Sequence, residues 1–301
     1  MKVGFNGSIV EASEAVISVY DHGFLYGLGL FETFRTYKGR PYLIERHMER
    51  LQLGCAELGI KFRMSIEEVE DWARRLLAEN GLYDGYIRLT VSAGEDVLGL
   101  PSSDYERPNA FMLVKELPIV RDVDLFWGRE LRMLRTKRNT PESSIRFKSL
   151  HYMNNILAKR ELLGLSKREE KDESYIPPMP GAEGLMLSEA GWLTEGIVSN
   201  LFFVSDGVIR TPAIETGILP GVTRQKVLEL AADAGYRTEE GLYTWESLVE
   251  GDEIWMTNSI QELVPITTLT DTSFQQIIIS SGEAGEITRS LLALYRADTL
   301  S

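Results

Sequence analysis

One cysteine in 301 residues, Cys55, leaves nothing for an intramolecular disulfide, a CxxC redox pair or a cysteine-rich metal knot, and a reducing, cytoplasmic setting is expected. Histidine is almost as scarce. His22, His47 and His151 lie far apart without HxxxH or HxxH spacing, so neither a structural nor a catalytic zinc centre is expected. No window offers the roughly 20 apolar residues of a membrane span. The start Met1-Lys2-Val3-Gly4-Phe5-Asn6 runs into a turn without the apolar core of a signal peptide, so a soluble, unexported protein is expected. There is no basic run either. A formal net charge of −13 disfavours nucleic acid as a partner, because phosphate-backbone binding needs clustered Lys and Arg. The same acidity makes locally clustered arginines informative, since an anionic small molecule needs a positive pocket inside a negative protein. A GxSxG elbow is absent, and Asp21-His22-Gly23-Phe24-Leu25-Tyr26-Gly27-Leu28-Gly29 lacks the third glycine of a dinucleotide loop, having Glu32 there. That segment reads as joining hairpins rather than opening a helix.

What remains is an ordinary globular composition, 44% hydrophobic and 26% charged, on a chain long enough for two domains. Asn6-Gly7 and Lys38-Gly39 mark hairpin turns in the first part. Met48, Leu51, Cys55 and Leu58 keep helical spacing. A capping box from Ser65 to Glu68 starts another helix that Gly81 stops. Tyr86 to Ala93 and Asn109 to Glu116 read as strands. The pattern weakens around 117–121, which places a boundary near 120, between an α+β domain at 1–120 and a second domain at 121–301. In the second, a strand is expected at Leu131 to Thr136, helices at about Ser149 to Leu163, Thr223 to Ala234 and Gly282 to Arg296, a hairpin at Asp206-Gly207 and a strand at Glu253 to Thr257. Ser166 to Gly184 reads as an exposed loop.

Three local features carry chemistry. Leu219-Pro220-Gly221-Val222-Thr223-Arg224 puts a glycine turn and a threonine before an amphipathic helix, where free N–H groups and the positive end of the helix dipole suit a phosphate; the residues equally suit an ordinary helix start. Thr257-Asn258-Ser259 can add donors to the same anion. Glu195, ahead of the strand Leu201 to Val204, is a carboxylate able to keep a pyridine nitrogen protonated, or else a solvated turn residue. Lys148 sits at a strand-to-helix junction with Arg146 and Tyr152 nearby in sequence, and cationic neighbours lower a lysine pKa towards neutrality. A surface lysine is the other reading.

In this order the segments resemble the fold-type IV pyridoxal-phosphate enzymes, the family of branched-chain and D-amino-acid aminotransferases and aminodeoxychorismate lyases. The match runs over nearly the whole chain, from Asp21 to Arg35, through His47-Met48-Glu49-Arg50-Leu51 and Lys148 to Tyr152, to Thr194-Glu195-Gly196 with Ser199-Asn200 and Gly221 to Arg224. The resemblance implies a smaller N-terminal α/β sandwich domain, a larger C-terminal pseudo-barrel domain with helices, and a homodimer. It implies pyridoxal 5′-phosphate carried on Lys148 as a Schiff base. Glu195 and Asn200 would stand at the pyridine nitrogen, and Arg50, Val222, Thr223 and Ser259 at the phosphate; Tyr152, one turn on from the lysine, either reaches the cofactor's 3-oxygen or simply packs. Within the family, Asp21 to Gly27, Arg138-Asn139-Thr140-Pro141, Tyr152 to Glu161 and Trp255 to Ser259 look most like Bacillus-type aminodeoxychorismate lyases, which make 4-aminobenzoate for folate synthesis. The longer loop at 166–184 departs from that group. The activity so implied is elimination of pyruvate from 4-amino-4-deoxychorismate, with Lys148 as base. Tyr26, Arg138 and Arg146 are candidates for substrate contacts, a structural ion pair being the alternative for each arginine. The rival activity is transamination of D- or branched-chain amino acids, and a non-enzymatic rival is a cofactor-holding protein.

Overall fold

The computed structural model describes residues 1–119, 122–165 and 175–300. They form two compact units, Met1–Pro118 with Phe147–His151, and Ile119–Arg146 with Tyr152–Ser301.

The first unit comprises β1 (Lys2–Phe5), β2 (Ser8–Glu11), α1 (His22–Tyr26), β3 (Gly29–Tyr37), β4 (Arg40–Pro41), α2 (Ile44–Glu57), α3 (Ile66–Glu79), β5 (Tyr86–Ser92) and β6 (Asn109–Lys115). Its antiparallel strands are ordered β2-β1-β6-β5-β3-β4. Positive φ at Asn6 (48°) and Gly7 (82°), and at Lys38 (51°) and Gly39 (77°), lets both hairpins turn with the strand twist. Leu30, Phe34, Ile87, Leu89, Val91 and Met112 alternate onto one core, with Met48, Leu51 and Cys55 of α2 and Val69, Trp72 and Leu76 of α3. Ser65 and Glu68 make the reciprocal capping box that starts α3. The expectation that Asp21 to Gly29 opens no helix is corrected. Asp21 Oδ1 accepts from Gly23 N at 2.7 Å and caps the short α1, while its Oδ2 accepts from Ser92 and Asn109 at 2.8 Å each.

The second unit comprises α4 (Asp122–Trp127), β7 (Arg129–Met133), α5 (Met153–Leu162), β8 (Glu183–Leu187), β9 (Leu193–Gly196), β10 (Asn200–Ser205), β11 (Val208–Pro212), α6 (Val222–Asp233), β12 (Arg237–Gly241), α7 (Trp245–Val249), β13 (Glu253–Asn258), β14 (Glu262–Thr270), β15 (Gln276–Ile278) and α8 (Glu286–Asp298). Strands β10-β13-β14-β7-β8-β9 run in order, and the pairing of Asn200 with Glu195 joins β9 back to β10, closing a ring. Leu131, Leu185, Leu193, Leu201, Phe203, Ile254, Met256 and Leu269 fill one core of this unit.

Residues 147–151 leave the second unit and pair with β3. Phe31 N donates to Lys148 O at 2.8 Å and Leu150 N to Gly29 O at 3.0 Å. A single division at 120 put this segment in the second domain, and the structure groups it with the first. The same pairing corrects the helix expected from Ser149. With these backbone groups engaged by a strand, α5 begins at Met153. Of the loop expected at 166–184, residues 166–174 lie outside the described residues. Glu183 and Gly184 open strand β8, and Tyr175 donates to Leu162 O at 3.1 Å with its ring edge-on to Phe274. Among the described residues no helix is long and apolar enough to cross a membrane.

Candidate active site

In the first unit, Lys148 reaches its place through the backbone pairing with β3, and its Nζ stands 4.8 Å from the centroid of the Phe31 ring. Behind that strand lies a buried charge cluster. Glu32 accepts from Arg50 Nε and Nη2, both at 2.7 Å, and from His47 Nδ1 at 2.6 Å. Burial raises the Glu32 pKa, but the Arg50 charge and the His47 and Arg50 hydrogen bonds outweigh it and hold the carboxyl down at about 2. Burial lowers the His47 pKa, with the Arg50 and Lys148 charges acting in the same direction against Glu32, so a neutral imidazole donates its Nδ1 proton. The sequence marked Arg50 as a phosphate ligand; the structure gives it a fixed orientation by clamping two of its nitrogens on Glu32. Tyr26 is exposed and accepts from Gly99 N at 2.9 Å through its hydroxyl.

Sequence reasoning missed Arg88. It alternates with Ile87 and Leu89 on β5, so it stands on the Phe31 face of the sheet, diagonal to Phe31. Its guanidinium carbon lies 3.5 Å from the Phe31 ring centroid. The signal was available: an arginine in mid-strand, out of phase with the apolar residues.

In the second unit, Glu195 is 4% exposed at the ring-closing pair. It accepts from Arg138 Nε at 2.8 Å, Leu219 N at 3.0 Å and Asn200 Nδ2 at 3.3 Å. Arg138 also donates to Asn154 and Asn155 of α5, at 2.8 and 3.3 Å. Arg146 donates to Gly217 O at 2.6 Å and to the Asn139 carbonyl, with its Nε 3.9 Å from Glu195. Burial, with the Arg138 charge second, brings the Arg146 pKa down to about 10. The two arginines expected to meet substrate carboxylates are thus 8% and 7% exposed and engaged on Glu195 and its surroundings, the ion-pair alternative. The turn after Glu195 is braced by Glu183, which accepts from Ile197 N at 3.1 Å and Ser199 Oγ at 2.9 Å; burial raises its pKa. Tyr152 is half-buried and caps α5 through its carbonyl.

Gly221 is the N-cap of α6 and has no side chain, so the first-turn amides of Val222 and Thr223 receive no bond from an N-cap side chain. Its φ of −70° suits any residue; what requires glycine is the close approach of Asn200 Oδ1, which a Cβ would overlap. Thr223 and Ser259 bring their hydroxyls within 3.2 Å at the same helix end. Asn258 Oδ1 accepts from Ile260 N at 3.0 Å and Gln261 N at 2.8 Å, tightening the turn that presents Ser259. A helix start without a side-chain cap, two convergent hydroxyls and a cradle without a side chain fit a phosphate monoester.

The amino-transferase class IV family matches residues 29–269, most of the chain. The chain belongs to that family, the fold-type IV pyridoxal-phosphate enzymes, and pyridoxal 5′-phosphate is its cofactor. Among individual proteins it is similar to the aminodeoxychorismate lyase of Bacillus subtilis (strain 168), 39% identical over 295 residues, covering 97% of this chain and 93% of that one. It is 31% identical over 296 residues to a putative branched-chain-amino-acid aminotransferase of Methanocaldococcus jannaschii, covering 98% and 96%. Among solved structures, the branched-chain aminotransferase of Thermoproteus uzoniensis with norvaline superposes with a TM-score of 0.81 at 26% identity, covering 100% of this chain and 95% of that one.

Proposed function

We propose that this chain is a 4-amino-4-deoxychorismate lyase, eliminating pyruvate to leave 4-aminobenzoate. The observation that carries the reading is the 39% identity to an aminodeoxychorismate lyase over 97% of the chain, against 31% for the aminotransferase of similar coverage. In this reading Lys148 carries the cofactor, Glu195 and Asn200 hold its pyridine nitrogen, and Val222, Thr223, Ser259 and Arg50 hold its phosphate. Bound there, the cofactor draws off the negative charge that develops when a proton leaves the amine-bearing carbon. Glu195 is suited to its part because Arg138, Leu219 N and Asn200 use three of about four lone-pair directions on its carboxylate and leave one for a ring N–H. Arg138 and Arg146 orient Glu195. Lys148, released when the substrate amine takes its place, accepts the C–H proton on Nζ. The adjacent C–O bond then breaks, the enolpyruvyl group leaves as pyruvate once protonated, and the ring becomes aromatic. Tyr152 is proposed to meet the cofactor's 3-oxygen, and Tyr26 to line the substrate side.

Supplying the holoenzyme with 4-amino-4-deoxychorismate and no 2-oxo acid tests the reading. Equal amounts of pyruvate and 4-aminobenzoate are expected over many turnovers. Amino-acid turnover that depends on a 2-oxo acid, with no 4-aminobenzoate formed, would instead make the chain a transaminase.

A further inference from the structure

The ring of the second unit closes through one residue pair, Asn200 with Glu195, and residues 196–199 join the two. Gly196 N donates to Ser199 O at 2.7 Å across this turn, and Val198 at its tip is exposed. Glu195 is next to last in β9, so the direction of its carboxylate follows the turn. That direction matters, because only one lone pair of Glu195 is left for a ring N–H.

The turn is held from below by a residue that the mechanism does not use. Glu183, at the start of β8, accepts from Gly184 N at 3.0 Å and Ile197 N at 3.1 Å on Oε1, and from Ser199 Oγ at 2.9 Å on Oε2. The approach is close: a Cβ on Gly196 would stand 3.0 Å from both Glu183 Cγ and Ser199 Oγ. Burial opposes charge on Glu183 and raises its pKa, a cost that the three donors offset. Asn155 of α5 holds the same turn from another side. Its Nδ2 donates to Ile197 O, and its Oδ1 accepts at 3.3 Å from Arg138, whose Nε donates to Glu195 at 2.8 Å. Ile197 is thus clamped through both of its backbone groups, beside the carboxylate that the site depends on.

We propose that Glu183 is a positioning residue for the reaction: through Ile197 and Ser199 it sets the direction in which Glu195 meets the cofactor's ring nitrogen. The inference rests on the proposed place of Glu195 at that nitrogen, and not on the choice between lyase and aminotransferase, since both readings use the same contact. With the clamp intact, the free lone pair of Glu195 faces the ring N–H. Cutting Glu183 back to alanine leaves Ile197 N with Gly184 O alone, at 3.1 Å, and takes the acceptor from Ser199 Oγ. The turn then shifts about the ring-closing pair and carries Glu195 off line.

The test loads the protein with pyridoxal phosphate carrying the heavy nitrogen isotope in its ring and reads the ring-nitrogen magnetic resonance, with Glu195→Gln as the reference for a lost contact. The native protein should give the protonated-pyridine signal. Glu183→Ala should move it towards the neutral position, in the same direction as Glu195→Gln, and lower kcat by about tenfold with KM little changed on whichever substrate the enzyme turns over. Glu183→Gln should restore both, because its Oε1 accepts from the same two amides and its Nε2 can donate to Ser199 Oγ. A loss of stability alone leaves the signal of the folded holoenzyme in place. If Glu183→Ala does not fold, Ser199→Ala, which removes one of the three donors, should give a smaller move in the same direction, and no move there overturns the proposal equally. If Glu195→Gln moves the signal and Glu183→Ala does not, the clamp has no part in positioning. If neither moves it, Glu195 does not hold the ring nitrogen, and the proposal falls with that assignment.

Discussion

Glu195 and Gly221 show how much a single position in the site carries. Arg138 is 8% exposed and depends on Glu195 for its charge partner, so Glu195→Ala leaves a buried guanidinium uncompensated. A loss of about 3–5 kcal/mol is expected in urea unfolding. Glu195→Gln keeps acceptor and shape, so its stability loss should be smaller while kcat falls by roughly 100-fold or more; equal losses of stability in the two variants would mean that charge is not what Arg138 needs. At Gly221 a methyl group would overlap Asn200 Oδ1, and Asn200 is itself tied to Leu219 O at 2.9 Å. Gly221→Ala should weaken binding of pyridoxal phosphate to the apoprotein by about tenfold or more, as read in an equilibrium titration. Unchanged affinity would show the turn to be a plain helix start. Lys148, Glu195 and Gly221 stand out in the sequence as candidates because ordered motifs mark them. The partners of Arg138 and Arg146 do not, since an arginine's partner is chosen by tertiary approach. Arg88 was overlooked because no motif draws attention to it.

At the scale of elements, the Glu32, His47 and Arg50 cluster ties β3 to α2, and it titrates. Glu32 has its carboxyl held at about 2 in the fold against an ordinary 4.5. A depressed carboxyl stabilises the fold fully above its unfolded value and loses that contribution as pH falls from about 4.5 to about 2. His47, buried and lowered below its ordinary 6.5, acts in the same direction, because the unfolded chain takes up a proton that the fold resists. The urea midpoint of the native protein should therefore decline with acidification below the histidine range and drop more steeply below about pH 4.5. Glu32→Gln should start lower and flatten the steep limb; a native-like limb in that variant would place the acid sensitivity elsewhere. Most elements were legible from turns and caps: Asn6-Gly7, Lys38-Gly39 and the Ser65 to Glu68 box each fix a boundary through local chemistry. The start of α5 and the short α1 were not, because β3 claims the backbone of 148–150 and a single aspartate, Asp21, caps a helix too short to show periodicity.

At the scale of the whole molecule, the chain changes unit near 118, again at 146–147 and again at 151–152. The weakening of the strand and helix pattern around 117–121 marks the first crossing in the sequence. Five residues are too few to announce the other two, yet they include Lys148. The closed ring of the second unit was expected only through the family resemblance, which implies a pseudo-barrel: it depends on the long-range pairing of Asn200 with Glu195, which strand patterns alone do not specify. That displaced lysine is the residue expected to carry the cofactor, and every role proposed for the site follows from it. Borohydride reduction of the holoenzyme, digestion and mass mapping address it directly. The expected result is a phosphopyridoxyl group on the peptide containing Lys148 and on no other; a label on a different lysine, or none with the cofactor bound, would contradict it.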